Sequence, residues 1–354
     1  MNRPNRTRLL GRTLLGLATA TALALGVAGT AQAQAGKTVY FLTWGGTVQQ
    51  TLEKDGWGKK FTEATGYTVQ LVPKATGPEI IAAAIAQKDK PQVDVVQTDL
   101  LPFLVGNDQG IFSPLDATQI PNIAKLVDVA RFDPNGVMTY GDVFSIIYNH
   151  DVFKKKGWAP PKAEWSELMR PEFRGMMVLP PINTTYGLYT LVTLARIHGG
   201  SERDIEPGFK ALKTLAPGVV EWPTTFARMG QFLQDETAAV GLYSSSSAAE
   251  MQKRGLPVSY VVAKPLLFTG TAAGIMKNAP NPEGARAFLN WWISKETLTY
   301  RAERYGNVTM NKDVTANPIP VSQLAEMQKI DYTHVNSQRS RWIQIFEREI
   351  APLK

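Results

Sequence analysis

The chain of 354 residues has no cysteine and only three histidines. Without thiols there is no disulfide, no thiolate nucleophile, no cysteine-held metal and no lipid anchor attached through a cysteine. A chain this long can bury a core without disulfide staples, so their absence is compatible with an oxidising compartment. His150, His198 and His334 are far apart, and none stands at a metal-ligand spacing. Gly-x-Ser-x-Gly is missing, and the serines Ser244 to Ser247 have no base beside them in sequence. These gaps argue against an enzyme, and no catalytic residue, metal or cofactor is assigned. A strong excess of one charge is missing as well. Setting aside the four arginines of residues 1–35 lowers the formal charge from +7 to +3. That near balance gives no reason to invoke nucleic acid, which needs a clustered basic face.

Long apolar runs are also scarce. The clear one, Leu14 to Gly29, follows Arg3, Arg6, Arg8 and Arg12 and precedes Ala31-Gln32-Ala33-Gln34-Ala35. This order of basic, apolar and small residues predicts an export signal over residues 1–35, cut after Ala33 or Ala35. The run is rich in Ala, Gly and Thr and falls short of the roughly 20 mainly apolar residues of a membrane span. The mature protein is therefore expected beyond the inner membrane, free and soluble.

The remaining chain alternates strands and helices. Strands are expected over Lys37–Thr43, Tyr67–Val72 and Val93–Thr98, with helices over Val48–Thr65 and Pro78–Gln87 between them. Strand, helix, strand in this order is the pattern of a parallel sheet with helices on its faces. Further strands are expected at Val143–Asn149, Val219–Trp222, Ala238–Tyr243, Val258–Val262 and Thr271–Met276. The helices with them run over Leu188–His198, Ala248–Arg254 and Pro282–Ile293, and two more fill Val321–Lys354. Trp342, Ile345 and Phe346 are expected to dock this tail.

Open α/β sheets place ligands beyond the carboxyl ends of their strands, beside helix N-termini. Four such places carry polar or aromatic side chains: Trp44 and Gly45; Thr98 and Asp99; Asn183, Thr184 and Thr185; and Tyr243, Ser244 and Ser245. Each has a plainer role open to it. Trp44 fits a core, Asp99 fits a helix cap, and one of the four serines is expected to cap the helix that follows.

Trp44-Gly45-Gly46, the stretch Phe61 to Val69, Asp94-Val95-Val96, Ile147-Tyr148-Asn149, Pro171-Glu172-Phe173-Arg174-Gly175 and Asn278 to Ala285 occur in a telling order. Together they resemble the bacterial extracellular solute-binding proteins, in the branch that binds polyamines, iron(III) and thiamine for ABC importers. The resemblance covers nearly all of the chain after its leader. It implies an α/β, two-lobed periplasmic binding protein fold of type II, with parallel-rich sheets, helices on both faces and a hinge between the lobes. The lobes would be 36–142 with 270–315, and 143–269, with 316–354 docked on one of them. It further implies a periplasmic monomer that captures a small-molecule solute and delivers it to a membrane permease.

Polyamine binders of this branch hold ammonium groups with acidic side chains. The matching stretches here read Asn183-Thr184-Thr185 and Thr269-Gly270-Thr271, which are neutral, leaving Asp99 and Glu221 as acids. Iron binders use adjacent tyrosines, whereas Tyr243 is followed by Ser244. An anionic or zwitterionic solute is therefore expected. Thr269, Thr271 and the other hydroxyls would hold it, with Trp44, Trp222 or Tyr243 as a stacking wall. The alternatives are a polyamine binder, and a secreted enzyme or sensor partner on the same fold.

Overall fold

The structure is a computed structural model that describes residues 37–320, 323–324 and 330–354. The expected export signal and the first of the two expected tail helices lie outside the described residues. The first part of the chain builds β1 (Thr38–Trp44), α1 (Trp57–Thr65), β2 (Thr68–Lys74), α2 (Gly77–Ala86), β3 (Val95–Asp99) and α3 (Leu100–Asp108). β1 lies between β2 and β3 and runs parallel to both. The pattern follows from the sequence: Val39, Phe41, Leu42, Val95 and Val96 are all fully buried, and β2 is left at the sheet's end with half its positions open to water.

The chain then forms β4 (Val137–Asn149), α4 (His150–Lys156), β5 (Met177–Val178), α5 (Thr185–Ile197), α6 (Glu206–Leu215) and β6 (Val219–Glu221). It continues with α7 (Phe226–Gln234), β7 (Val240–Ser244), α8 (Ser245–Lys253) and β8 (Val258–Val261). The return path is β9 (Phe268–Ile275), α9 (Pro282–Trp292), α10 (Lys295–Tyr305), β10 (Val308–Thr309) and α11 (Tyr332–Glu349). The strands order as β2-β1-β3-β9-β4-β7-β5-β6, with β8 and β10 also paired to β4. β4 runs through more than one apolar core. Its Val137, Met138, Tyr140 and Val143 belong to one, its Phe144, Ile146 and Tyr148 to a second, and its Ile147 to a smaller third. Strand β9 is antiparallel to both β3 and β4 and stitches the first lobe to this shared strand. Val335, Trp342, Phe346 and Ile350 at the end of the chain are buried in the second core.

Several boundaries differ from the sequence reading. The single helix expected over Val48–Thr65 is a turn, Thr47–Gln49, then a π-helical stretch, Gln50–Lys54, then α1. Gly56, at φ 77, breaks it, a conformation open mainly to glycine. Leu52, Trp57 and Phe61 still face the core. β4 begins at Val137 rather than Val143, and β9 begins at Phe268 rather than Thr271. α5 and α8 begin at Thr185 and Ser245 rather than Leu188 and Ala248, because each gains a hydroxyl cap from the residue before it. Trp291 and Trp292 pack with Phe288, and the Trp292 Nε1 donates to Gln97 Oε1 at 2.7 Å.

Candidate functional site

Where β3, β4 and β9 of the first lobe meet the starts of α5 and α8, a set of polar and aromatic side chains converges. Asp99 ends β3. It occupies the cap position of α3, but its side chain makes no capping bond there, so the capping role expected as an alternative is not the one it plays. Its Oδ2 instead accepts from Thr185 Oγ1 at 3.3 Å, which ties the end of β3 to the start of α5. Burial raises the Asp99 pKa to about 6; the Thr185 bond and the charge of Arg339 pull it down, and the charge of Asp142 pushes it up. Thr98 is spent on structure, donating to the Gly77 carbonyl at 3.3 Å.

Asp142 is the acid that sequence reasoning missed. Tyr140, Asp142 and Phe144 lie at alternate positions of β4 and so share one face of the strand. Burial raises the Asp142 pKa, against hydrogen bonds from Ser246 and Asn307 and the charge of Arg301. The Asn307 bond spans 3.3 Å. Arg301 stacks over the Tyr140 ring at 3.9 Å and donates from Nη2 to Asn307 Oδ1 at 3.0 Å. Its Nε is buried without a hydrogen-bond partner among the described residues. Asp99 and Asp142 both keep part of their surface open.

Aromatic rings wall this carboxylate pair. Tyr243 stacks on Tyr186 at 4.2 Å, and Tyr186 stacks on Phe144 at 5.5 Å. Burial holds the hydroxyls of Tyr243 and Tyr186 far above the ordinary tyrosine range, and both nearby aspartates push the same way. They stay protonated. Beneath, Gln97 fixes the floor: its Nε2 donates to Tyr140 OH at 3.1 Å, and its Oε1 accepts from Thr139 at 3.2 Å.

The other candidate residues divide clearly. Ser244 caps α8, accepting from Ser247 N at 3.2 Å, and Thr184 caps α5, accepting from Gly187 N at 3.1 Å. Ser245 is buried at the first position of α8. Asn183 is exposed and offers its carbonyl to Arg339 Nη2 at 2.9 Å. Thr269 and Thr271 lie within β9, opposite Asp142 and Tyr140 of β4. Thr269 Oγ1 donates to the Asp142 carbonyl at 3.3 Å, and the Thr271 carbonyl accepts from Thr139 at 3.2 Å. Trp44 and Gly45 are half-buried at the end of β1, where the β1–β3 register, carried on, sets Trp44 level with Thr98. Trp222 lies elsewhere: it meets Phe346 of α11 edge-on at 5.0 Å. Glu221, expected as an acid of the site, is instead ion-paired to Lys354 at 2.7 Å.

Among the described residues no cluster of His, Asp or Glu stands ready to hold a metal ion. Nor is any helix among them long and apolar enough to cross a membrane. Chemically, the arrangement brings tyrosine faces, hydroxyls and two carboxylates to one place.

The sequence profile described as bacterial extracellular solute-binding protein matches residues 56–329. The spermidine/putrescine-binding periplasmic protein of Escherichia coli is 25% identical over 305 residues, 83% of each chain. Among solved structures, an ABC transporter substrate-binding protein from Bradyrhizobium japonicum superposes with a TM-score of 0.74 at 20% identity, covering 89% of this chain and 99% of that one. The periplasmic binding protein AfuA from Actinobacillus pleuropneumoniae, with fructose-6-phosphate bound, gives a TM-score of 0.72 at 18% identity and the same coverage.

Proposed function

The chain belongs to the bacterial extracellular solute-binding proteins, the non-enzymatic solute-binding components of ABC transporters, and we propose that it captures a small solute carrying a cationic nitrogen. One observation carries this reading: Asp99 and Asp142 converge on the stacked pair Tyr186 and Tyr243. Burial makes both carboxylates costly to ionise, the charge of Asp142 adds to that cost at Asp99, and a bound cation removes it. Tyrosine faces stabilise the same cation through their quadrupoles and cover its methylenes. The sequence argued for an anionic or zwitterionic solute on the ground that the site was short of acids. Asp142 supplies the acid that argument lacked, and so the weight moves to a cation. The E. coli relative named for spermidine and putrescine is in line with this.

On this reading the site comprises Asp99, Asp142, Thr185, Tyr186 and Tyr243, with Trp44 and Gly45 at its edge. The moving bodies are 36–142 with 270–315, and 143–269, turning about the crossings in β4 and β9, with the 316–354 tail carried on one of them. The protein works in the periplasm as a monomer and hands its solute to a membrane permease. A thermal-shift panel tests the ligand class. Amines and amino-bearing zwitterions should raise the melting temperature, and Asp142→Asn should abolish the rise. Stabilisation by phosphate esters and dicarboxylates alone would overturn it.

A further inference from the structure

The last helix brings a second charge to the same place. In α11, Asn336 Nδ2 donates to the Leu101 carbonyl at 3.1 Å, two residues beyond Asp99. One turn later Arg339 Nη2 donates to the Asn183 carbonyl at 2.9 Å, two residues before Thr185. Asp99 and Thr185 are themselves joined at 3.3 Å, so Arg339 stands over the junction where the two lobes touch. Arg339 is half-buried, and its charge acts on Asp99. Its guanidinium has five donors, and the bond to Asn183 uses one.

We propose that Arg339 receives an acidic group of the ligand, so that the solute is a zwitterion with its nitrogen at Asp99 and Asp142 and its acid at Arg339. The inference rests on the cationic-nitrogen reading above. The physical case is a choice between two chain ends. A carboxylate or phosphate arriving at Arg339 meets a planar fork of donors and exchanges water for charge-assisted hydrogen bonds. The second ammonium of a diamine would arrive beside a like charge and lose water without gaining a partner. Arg339 therefore discriminates against polyamines. It does so from a helix distant in sequence from the strands that carry the two aspartates.

Two ligand series differing at one end decide it. Calorimetry on the purified protein compares ω-amino acids of two to six carbons with α,ω-diamines of the same lengths, for example 4-aminobutanoate against putrescine. The wild type should bind the best amino acid at least tenfold tighter than the diamine of equal length. R339Q should remove that preference and leave diamine binding equal or tighter, and R339K should keep part of it. A thermal melt of R339Q without ligand establishes that the variant is folded. Tighter binding of diamines by the wild type, or an equal loss of both series in R339Q, would show that Arg339 only ties the lobes together. Failure of both series to bind the wild type would instead bring down the cationic-nitrogen reading itself.

Discussion

Asp99→Asn separates the cost of the ligand-free site from its role in binding. Burial lifts the Asp99 carboxyl from 3.8 to about 6. A rise of roughly two units, at about 1.4 kcal/mol each, makes the ionised form about 3 kcal/mol dearer in the fold than in the unfolded chain. Asp99 keeps some surface open to water, which brings the expected figure to about 1–3 kcal/mol. The sign follows from proton counting. Between roughly pH 4 and 6 the folded protein holds a proton that the unfolded chain has released, so stability falls as pH rises through that window. Above it the penalty is complete. Asparagine carries none of it and can still accept from Thr185.

Ligand-free Asp99→Asn should therefore be more stable than wild type by about 1–3 kcal/mol at pH 8, and level with it at pH 4. For a chain this long that gain corresponds to a melting temperature higher by about 2–6 °C. Urea melts of both proteins across pH 4–8 measure the difference directly. The same substitution should weaken an amine ligand by about 2–4 kcal/mol, because a charged partner is lost at a desolvated contact. Parallel stability profiles for the two proteins would refute the reasoning, and so would an Asp99→Asn protein less stable than wild type at pH 8.

Three further outcomes test other parts of the structure. Gly77→Ala places a Cβ 2.8 Å from Asp99 Oδ2 and 2.9 Å from Thr98 Oγ1, so it should displace the carboxylate and weaken binding about tenfold in titration calorimetry, with little change in the circular dichroism spectrum. Ser244→Ala removes the cap of α8 and should cost about 1 kcal/mol in chemical denaturation. Trp342→Ala empties a buried site under α11 and should cost about 3–5 kcal/mol on the same measure.

The first lobe was legible because its signals are local. Gly66 stands in the left-handed conformation where the sequence stops a helix, and the residues on either side alternate or repeat as buried strands and helices do. The caps were legible in kind but not in place. Four consecutive hydroxyls, Ser244 to Ser247, satisfy the same rule, and only the backbone around them selects Ser244.

Asp142 was hidden by its neighbour. Gly141-Asp142 has the composition of a turn, and a turn there would start β4 after the acid rather than before it. The glycine serves another end. A Cβ on Gly141 would lie 2.2 Å from the Phe268 ring and 2.2 Å from the Thr269 carbonyl, so glycine is what lets β9 close against β4. That pairing turns the expected loop into mid-strand and sets Asp142 opposite Thr269 on the shared strand. The neutral stretch Thr269-Gly270-Thr271 and the acid it appeared to lack are thus neighbours in the sheet. Sequence position separates them by more than a hundred residues, and strand register brings them together. Arg339 shows the same limit at longer range. Nothing around it differs from an exposed helix, and its place beside Asp99 follows only from where Trp342 and Phe346 anchor α11 in the second core. If so, the charge balance at the ligand is set partly by how the tail packs. Loosening that anchor should then change which solutes bind before it changes the fold of either lobe.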